Sequence, residues 1–262
     1  MARLLCEVGF YVFRFDPFGI GDSDGELAAH DSVMDLWGMI QRGLFVSDTL
    51  VANDFFVRET EVEKLILIGQ CGAAVTGMLV GAEDERVESL ILVDAPVRLL
   101  SSNVDLSDIL AETHTPSEML VYYLKRVLDG RSWINLFKLK SDFTGVQKII
   151  LKIIQTPFNR NPKNAGDPFT VSERFNKKFL DAFCRFMDRK KEICFLFAEN
   201  DFALKEFQQD MQMNFLERQN RYPSQYKIQI IKDANHVYTE EGWQQELLQN
   251  IRSWLSQYQE VR

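Results

Sequence analysis

The stretch LILIGQCGAAVTG, residues 65–77, decides how the rest of the sequence is interpreted. It begins as an uninterrupted apolar run, passes through small residues around Cys71 and continues with the composition of a helix. A sharp turn from a strand into a helix needs small neighbours, because its central residue takes a strained backbone conformation. Gly69, Gly72 and Ala73 meet this requirement. The pattern G-x-C-G-A therefore predicts a turn that presents Cys71 at the carboxyl end of a strand.

Cys71 has two interpretations. In the related turn G-x-S-x-G the central side chain is a nucleophile, and the N–H groups that follow it point towards an incoming oxyanion. On this interpretation the Gly72 N–H is the candidate oxyanion donor, and Gln70 is a candidate binding residue beside it. On the other interpretation Cys71 only fills a tight corner, since free cysteine is among the most buried residue types.

A cysteine nucleophile needs a base, and the base needs an acid that orients it. With this type of turn the order along the chain is nucleophile, acid, histidine. That order favours His236, which follows a predicted strand at 226–231, as the base. Asp201, which follows a predicted strand at 192–197, is the candidate acid. The other two histidines are expected at the surface: His30 and His114.

Two other carboxyl groups compete with Asp201. Glu199 lies two residues before it, and Asp94 ends a predicted strand at 89–93. Asp201 also has a purely structural interpretation, as the cap of a helix that starts near residue 203, which is a common role for aspartate.

Short apolar runs with helical patterns between and after them predict an α/β fold, with a mostly parallel sheet flanked by helices. Residues 2–9 predict a helix before the first strand, and residues 240–258 predict the last helix. The apolar stripe of that last helix is formed by Trp243, Leu247, Ile251, Trp254 and Leu255. The predicted strands are residues 10–15, 64–68, 89–93, 192–197 and 226–231.

Residues 101–190 break this alternation, because they carry helical patterns without a convincing strand. We interpret them as a helical lid inserted between two parts of the core, residues 1–100 and 191–262. Thr115-Pro116-Ser117-Glu118 is typical of a helix start within this insertion. Its aromatic and apolar side chains are expected either to roof a pocket or to pack in the core: Tyr122, Tyr123, Leu124, Trp133, Leu136 and Phe137.

The composition of the chain limits which partners and cofactors are expected. The net charge of −8 repels phosphate backbones and argues against nucleic acid as a general partner. Four scattered cysteines without a C-x-x-C pair predict neither a zinc site nor a disulfide framework, which favours a reducing, cytoplasmic compartment. No signal peptide or membrane span is expected. We predict no metal or organic cofactor, and a small-molecule acyl substrate; the oligomeric state is not predicted.

The motifs VFRFDPFGIGDSDG, LILIGQCGAA, FAENDF and ANHVYT, in this order, resemble those of the α/β-hydrolase superfamily. More narrowly, the cysteine turn followed by LVDAPVR, YYLKRVLDGRSWINLFK and NDFALKEF is similar to the exosortase-associated hydrolases, which accompany bacterial exopolysaccharide and sorting clusters. Dienelactone hydrolases also carry a cysteine at this turn, but their other motifs match less well. The resemblance covers nearly the whole chain. It implies Cys71 as nucleophile, Asp201 as acid, His236 as base and Gly72 as oxyanion donor.

Two departures from these relatives affect the expected activity. Relatives have Asn-Pro where this chain has Asp94-Ala95-Pro96, so Asp94 stays a rival acid. Relatives also have further N-terminal strands and a glycine-rich loop with a second oxyanion donor, which we expect this chain to lack; losing one such donor lowers rates by about 10²–10³. Three functions remain: a hydrolase of esters or thioesters through an acyl-cysteine, an acyltransferase with the same triad, and a catalytically silent binding protein.

Overall fold

The computed structural model describes residues 1–27, 33–101, 171–217 and 221–258. Within these ranges four strands form one parallel sheet in the order β1-β2-β3-β4. The predicted α/β fold with a parallel sheet and flanking helices is confirmed, and so are four of the five predicted strands. The strands are β1 (Leu65–Gln70), β2 (Val87–Val93), β3 (Glu192–Ala198) and β4 (Tyr226–Ile231).

Helices lie before, between and after these strands. The predicted first and last helices are present as α1 and α7, and a π-helix, Phe207–Glu217, continues directly from α6. The α-helices are α1 (Ala2–Glu7), α2 (Val33–Gln41), α3 (Val46–Thr60), α4 (Gly72–Gly81), α5 (Lys177–Asp188), α6 (Phe202–Glu206) and α7 (Glu241–Leu255).

Both faces of the sheet are buried, because alternate side chains of the central strands enter different apolar clusters. Leu90 and Phe195 belong to a cluster with α4 and α5, whereas Ile91 and Leu196 belong to a second cluster with α1 and α7. This explains why the sequences of β2 and β3 are almost continuously apolar. The carboxyl ends of all four strands therefore meet at one edge of a rigid, two-sided core.

The predicted strand at residues 10–15 is wrong. These residues have no strand pairing, and Tyr11 is 69% exposed. Phe10 and Val12 pack against the cluster that contains α1 and α7, while the Phe13 ring stacks on Phe56 with centroids 5.4 Å apart. The apolar side chains of this segment thus pack against the core although its backbone forms no strand hydrogen bonds. A strand needs a neighbouring strand for its N–H and C=O groups, and none pairs with this segment among the described residues.

Most of the predicted insertion lies outside the described residues. This applies to the helix start at 115–118 and to the aromatic group at 122–137, so the lid stays a prediction. Helix α5 comes from the last part of the range 101–190, and its Phe179, Phe183 and Phe186 are fully buried against the sheet. In the described part of the chain, no helix is long and apolar enough to cross a membrane.

Phe207 offers a test of the core. Its ring is fully buried and lies 4.7 Å from that of Phe195 and 4.9 Å from that of Phe197, measured between centroids. We expect Phe207→Ala to lower the free energy of unfolding by about 3–5 kcal/mol, because it leaves a cavity under the π-helix. Urea denaturation measures this, with Phe55→Ala, at a ring 46% exposed, as the matched control. Equal losses in both variants would contradict the packing described.

Candidate active site

The predicted sharp turn at the end of β1 is present. Cys71 is the N-cap of α4 and has φ 55° and ψ −118°, a conformation that L-residues rarely adopt. A side chain at Gly69 would place its Cβ 2.4 Å from the carbonyl oxygen of Ala73, so only glycine fits there. Gly72 is held against α2, since a Cβ on it would lie 2.9 Å from Ile40. The turn therefore requires glycine at position 69 and leaves little space at position 72.

The turn leaves Cys71 accessible while its backbone is fixed. The Cys71 N–H donates to the carbonyl of Val93 at 2.8 Å, which ties the turn to the end of β2. Its side chain is half-buried. The Gly72 N–H belongs to the first turn of α4, where N–H groups have no acceptor within the helix and the helix dipole favours negative charge. A negative oxygen next to Cys71 would be stabilised at this position.

His236 and Asp201, predicted as base and acid, are in contact. The Nδ1 atom of His236 hydrogen-bonds Oδ2 of Asp201, which joins the loop after β4 to the loop after β3. The other oxygen of Asp201 accepts from the Ala203 N–H at 2.8 Å and caps α6. The capping role and the histidine contact therefore coexist, one on each carboxylate oxygen, and the cap fixes the carboxylate that faces His236.

The electrostatics of His236 link all three predicted residues. Hydrogen bonding to Asp201 and, second, to Cys71 raises the pKa of His236 to about 10, against the opposing effect of partial burial. The imidazole is consequently charged at neutral pH. Because Nδ1 is bonded to Asp201, Nε2 is the ring nitrogen that can exchange a proton with Cys71. A cation beside a thiol favours the thiolate, the reactive form of cysteine.

Gln70 anchors the loop after β4 that carries His236. Its Nε2 donates to the backbone carbonyl of His236 at 2.6 Å, so the residue before the cysteine holds the residue predicted as base. The loop is also shaped by Asn235, whose side-chain oxygen accepts from the N–H groups of Val237 and Thr239. Asparagine commonly bonds to backbone two residues ahead, so ANHVYT carried a signal for this turn. Nothing in the sequence indicated the contact of Gln70.

The rival acids differ in position. Glu199 is exposed and its carboxylate accepts from the Asp233 N–H at 2.7 Å, away from the imidazole contact. Asp94 is fully buried, and one of its oxygens lies within 4.8 Å of a carboxylate oxygen of Asp201 and of a ring nitrogen of His236. The direct hydrogen bond to His236 is nevertheless made by Asp201. His30 and His114 lie outside the described residues.

Asp94, Asp201 and His236 also have the residue types of a metal site, and theirs is the one such cluster in the described ranges. Two oxygens and an imidazole nitrogen would suit several divalent cations. However, Nδ1 of His236 already contacts Asp201 directly. A bound ion would have to break that hydrogen bond, so the geometry fits a hydrogen-bonded pair better.

A cavity of about 1510 Å³ opens beside the turn. Gly72, Ala73 and Thr76 lie along it where it meets α4, and it continues between β1, α2 and α3. Its walls there are mostly apolar, with Trp37 and Ile40 among them. Gln70, Gly72 and Ala73 line the end of the cavity next to the turn, whereas Cys71 and His236 are not among its lining residues.

Comparisons with known proteins find similar structures and no match in sequence. No family model matches it, and no curated protein matches its sequence. Its structure is similar to a proline iminopeptidase of Mycobacterium smegmatis, with 12% identity, a TM-score of 0.46, and coverage of 93% of this chain and 79% of that one.

Two further solved structures are similar at the same low level. One comes from work on carboxylesterases of the ammonia-oxidizing thaumarchaeon Nitrososphaera gargenis, with 9% identity, a TM-score of 0.40, and coverage of 81% of this chain and 73% of that one. The other is an alpha/beta fold family hydrolase of Bacillus anthracis, with 9% identity, a TM-score of 0.37, and coverage of 91% and 80%. At such scores the likeness says nothing about the site.

Proposed function

We propose that the chain is a hydrolase that cleaves an ester or thioester through a Cys71–His236–Asp201 triad and an acyl-cysteine intermediate. The single observation that carries this proposal is the convergence of three strand ends. Cys71 takes the strained conformation of a presented nucleophile at the end of β1, and the hydrogen-bonded pair of His236 and Asp201 reaches it from the ends of β4 and β3.

Acylation begins with the Cys71 proton on His236. The thiolate attacks the substrate carbonyl carbon, a C–S bond forms, and the carbonyl electron pair moves onto oxygen. The Gly72 N–H stabilises this oxyanion at the start of α4. When the tetrahedral species collapses, the C–O or C–S bond to the leaving group breaks and Nε2 of His236 returns a proton to it. An acyl-cysteine remains.

Deacylation uses the same groups. The interaction with Cys71 is the second cause of the raised pKa of His236, and acylation removes the thiolate. The pKa of His236 therefore falls, and the neutral imidazole becomes more populated. It takes a proton from water, the hydroxide attacks the thioester carbon, and collapse releases the carboxylic acid and the Cys71 thiolate. Asp201 keeps the proton of the ring on Nδ1 throughout and so fixes the useful tautomer.

The adjoining cavity and the sequence motifs narrow the substrate. Apolar walls next to Gly72 and Ala73 favour an acyl group of low polarity. The motif resemblance to exosortase-associated hydrolases supports, as part of the same proposal, a role beside bacterial exopolysaccharide and sorting systems, in the cytoplasm.

A panel of activated acyl esters and thioesters tests the proposal. The full chain is incubated with each compound, product is followed by absorbance, and the intact protein is weighed by mass spectrometry after acid quenching. We expect turnover together with an adduct of the acyl mass. An adduct that decays faster with added alcohols than in water alone would identify an acyltransferase instead. A folded chain with neither turnover nor adduct would favour the silent binding protein and overturn the hydrolase.

Gln70 provides a finer prediction. Gln70→Ala removes the 2.6 Å hydrogen bond to the His236 carbonyl and should lower the acylation rate about five- to tenfold, since one such bond is worth about 1 kcal/mol. Stopped-flow measurement of the first turnover reports this rate. Gln245→Ala is the matched control, because that amide bonds only Glu241 on the exposed side of α7. A change of the same size in both variants would contradict a positioning role for Gln70.

A further inference from the structure

One histidine faces two carboxyl groups in this site. Asp94 and Asp201 follow the neighbouring parallel strands β2 and β3, whose carboxyl ends meet at one edge of the sheet. One oxygen of each and a ring nitrogen of His236 all lie within 4.8 Å of one another. Asp201 makes the hydrogen bond to the imidazole, so its contact leaves the role of Asp94 unexplained.

The Asp94 carboxyl is held in place on two sides. Its backbone has φ 47°, a left-handed conformation that is unfavourable for most residues other than glycine and is tolerated by asparagine and aspartate. Its N–H donates to the Leu196 carbonyl at 2.8 Å, and its Oδ1 accepts from the Ala198 N–H at 2.8 Å. Strand β3 thus fixes both the backbone and the carboxyl group.

The second oxygen of Asp94 has no such anchor. Oδ2 is buried and makes no hydrogen bond of good geometry with the described residues, and the same is true of the buried Tyr238 hydroxyl. The two groups nevertheless interact, because Tyr238 lowers the pKa of Asp94. A buried carboxylate oxygen without a hydrogen bond of good geometry is unusual away from functional sites.

Charge couples Asp94 to the candidate triad. The pKa of Asp94 is raised to about 6: burial is the largest cause and the nearby Asp201 carboxylate adds to it, while the Ala198 N–H, Tyr238 and the His236 charge oppose the rise. Two carboxylates in one buried site resist ionising together. Removing the charge of Asp201 would therefore let Asp94 ionise more readily, within reach of the same imidazole.

We propose that Asp94 is a second positioning acid for His236, which stabilises the imidazolium behind Asp201 and replaces it when the Asp201 carboxylate is lost. The inference deepens the proposed function, since it concerns the same histidine. It assigns no contact between Asp94 and substrate. Its consequence is that the two aspartates are redundant in part, so removing both has a larger effect than the single variants predict.

A double-variant cycle tests this redundancy without any substrate. The chain is labelled at its three histidines, and the pH titration of the His236 ring is followed by NMR in Asp94→Asn, Asp201→Asn and the double variant. Asparagine keeps an oxygen for the N–H groups of Ala198 and Ala203. We expect Asp201→Asn to keep a midpoint above about 6.5, and the double variant to lower it by about one further pH unit or more. Glu199→Gln is the matched control.

The readout separates the two proposals. If no acyl adduct forms in the wild type, the hydrolase fails while the titration still decides the role of Asp94. Equal midpoints in Asp201→Asn and the double variant would overturn it. If Asp94→Asn does not fold, Tyr238→Phe in the Asp201→Asn background serves instead: loss of the hydroxyl should disfavour ionised Asp94 and lower the His236 midpoint. An unchanged midpoint there would likewise overturn the proposal.

Discussion

Cys71→Ala should abolish the acyl adduct and lower turnover of the best ester or thioester by at least about 10⁴-fold, because the reaction loses its nucleophile. The fold should persist, since alanine is small enough for the tight corner. The strained φ of 55° is tolerated no worse by alanine than by cysteine. Initial rates and intact mass measure both effects, with circular dichroism as the check on folding.

Cys6→Ala is the matched control, since Cys6 is an exposed cysteine on α1, away from the turn. Its rates and adduct should equal those of the wild type. Cys71→Ser gives a second comparison: it keeps the turn, but its hydroxyl is a weak nucleophile that needs His236 to remove its proton during the attack. We expect turnover near pH 7 that lies below the wild type and above Cys71→Ala. An adduct on Cys71→Ala would disprove Cys71 as nucleophile.

The sequence was sufficient for the sheet because its two inner strands are buried on both faces. Runs such as SLILV and EICFLF are almost entirely apolar, so they are stable only where both faces are covered, and the structure buries them in this way. Residues 10–15 carry an equally apolar pattern but form no strand, because pairing depends on a neighbour that periodicity cannot report. The pattern predicted the partial burial of Phe10 and Val12 correctly, but it could not show that this segment has no neighbouring strand to pair with among the described residues.

The site divides in the same way. Chain order and strand ends predicted that Cys71, Asp201 and His236 lie close together, because parallel strands bring their carboxyl ends to one edge. The contact of Gln70 with His236 and that of Asp94 with the Ala198 N–H join residues 166 and 104 positions apart in the chain. Such contacts have no periodicity or local spacing in the sequence. Asp94 could be named as a rival acid, but its proximity to Asp201 required coordinates.

His236 has a second testable property, its influence on stability. Its folded pKa of about 10 lies above the ordinary value of 6.5, so its contacts stabilise the fold fully below about pH 6.5 and this contribution is lost as pH rises through about 10. The imidazole side chain is 44% exposed, so solvent weakens the effect. The free energy of unfolding in urea, measured below about pH 6.5 and above about pH 10, reports this loss.

His236→Ala should lower turnover by about 10⁴-fold or more, because it removes the group that carries the proton in both half-reactions. It should also slow alkylation of Cys71 by iodoacetamide at pH 6, where the wild type keeps a charged imidazole beside the sulfur. In the variant the alkylation rate should rise only at alkaline pH, as for an ordinary thiol. Peptide mass mapping measures the rate at Cys71, with His30→Ala as the control. Equal alkylation rates at pH 6 with and without His236 would show that the imidazolium does not activate Cys71. This result would contradict the proposed triad.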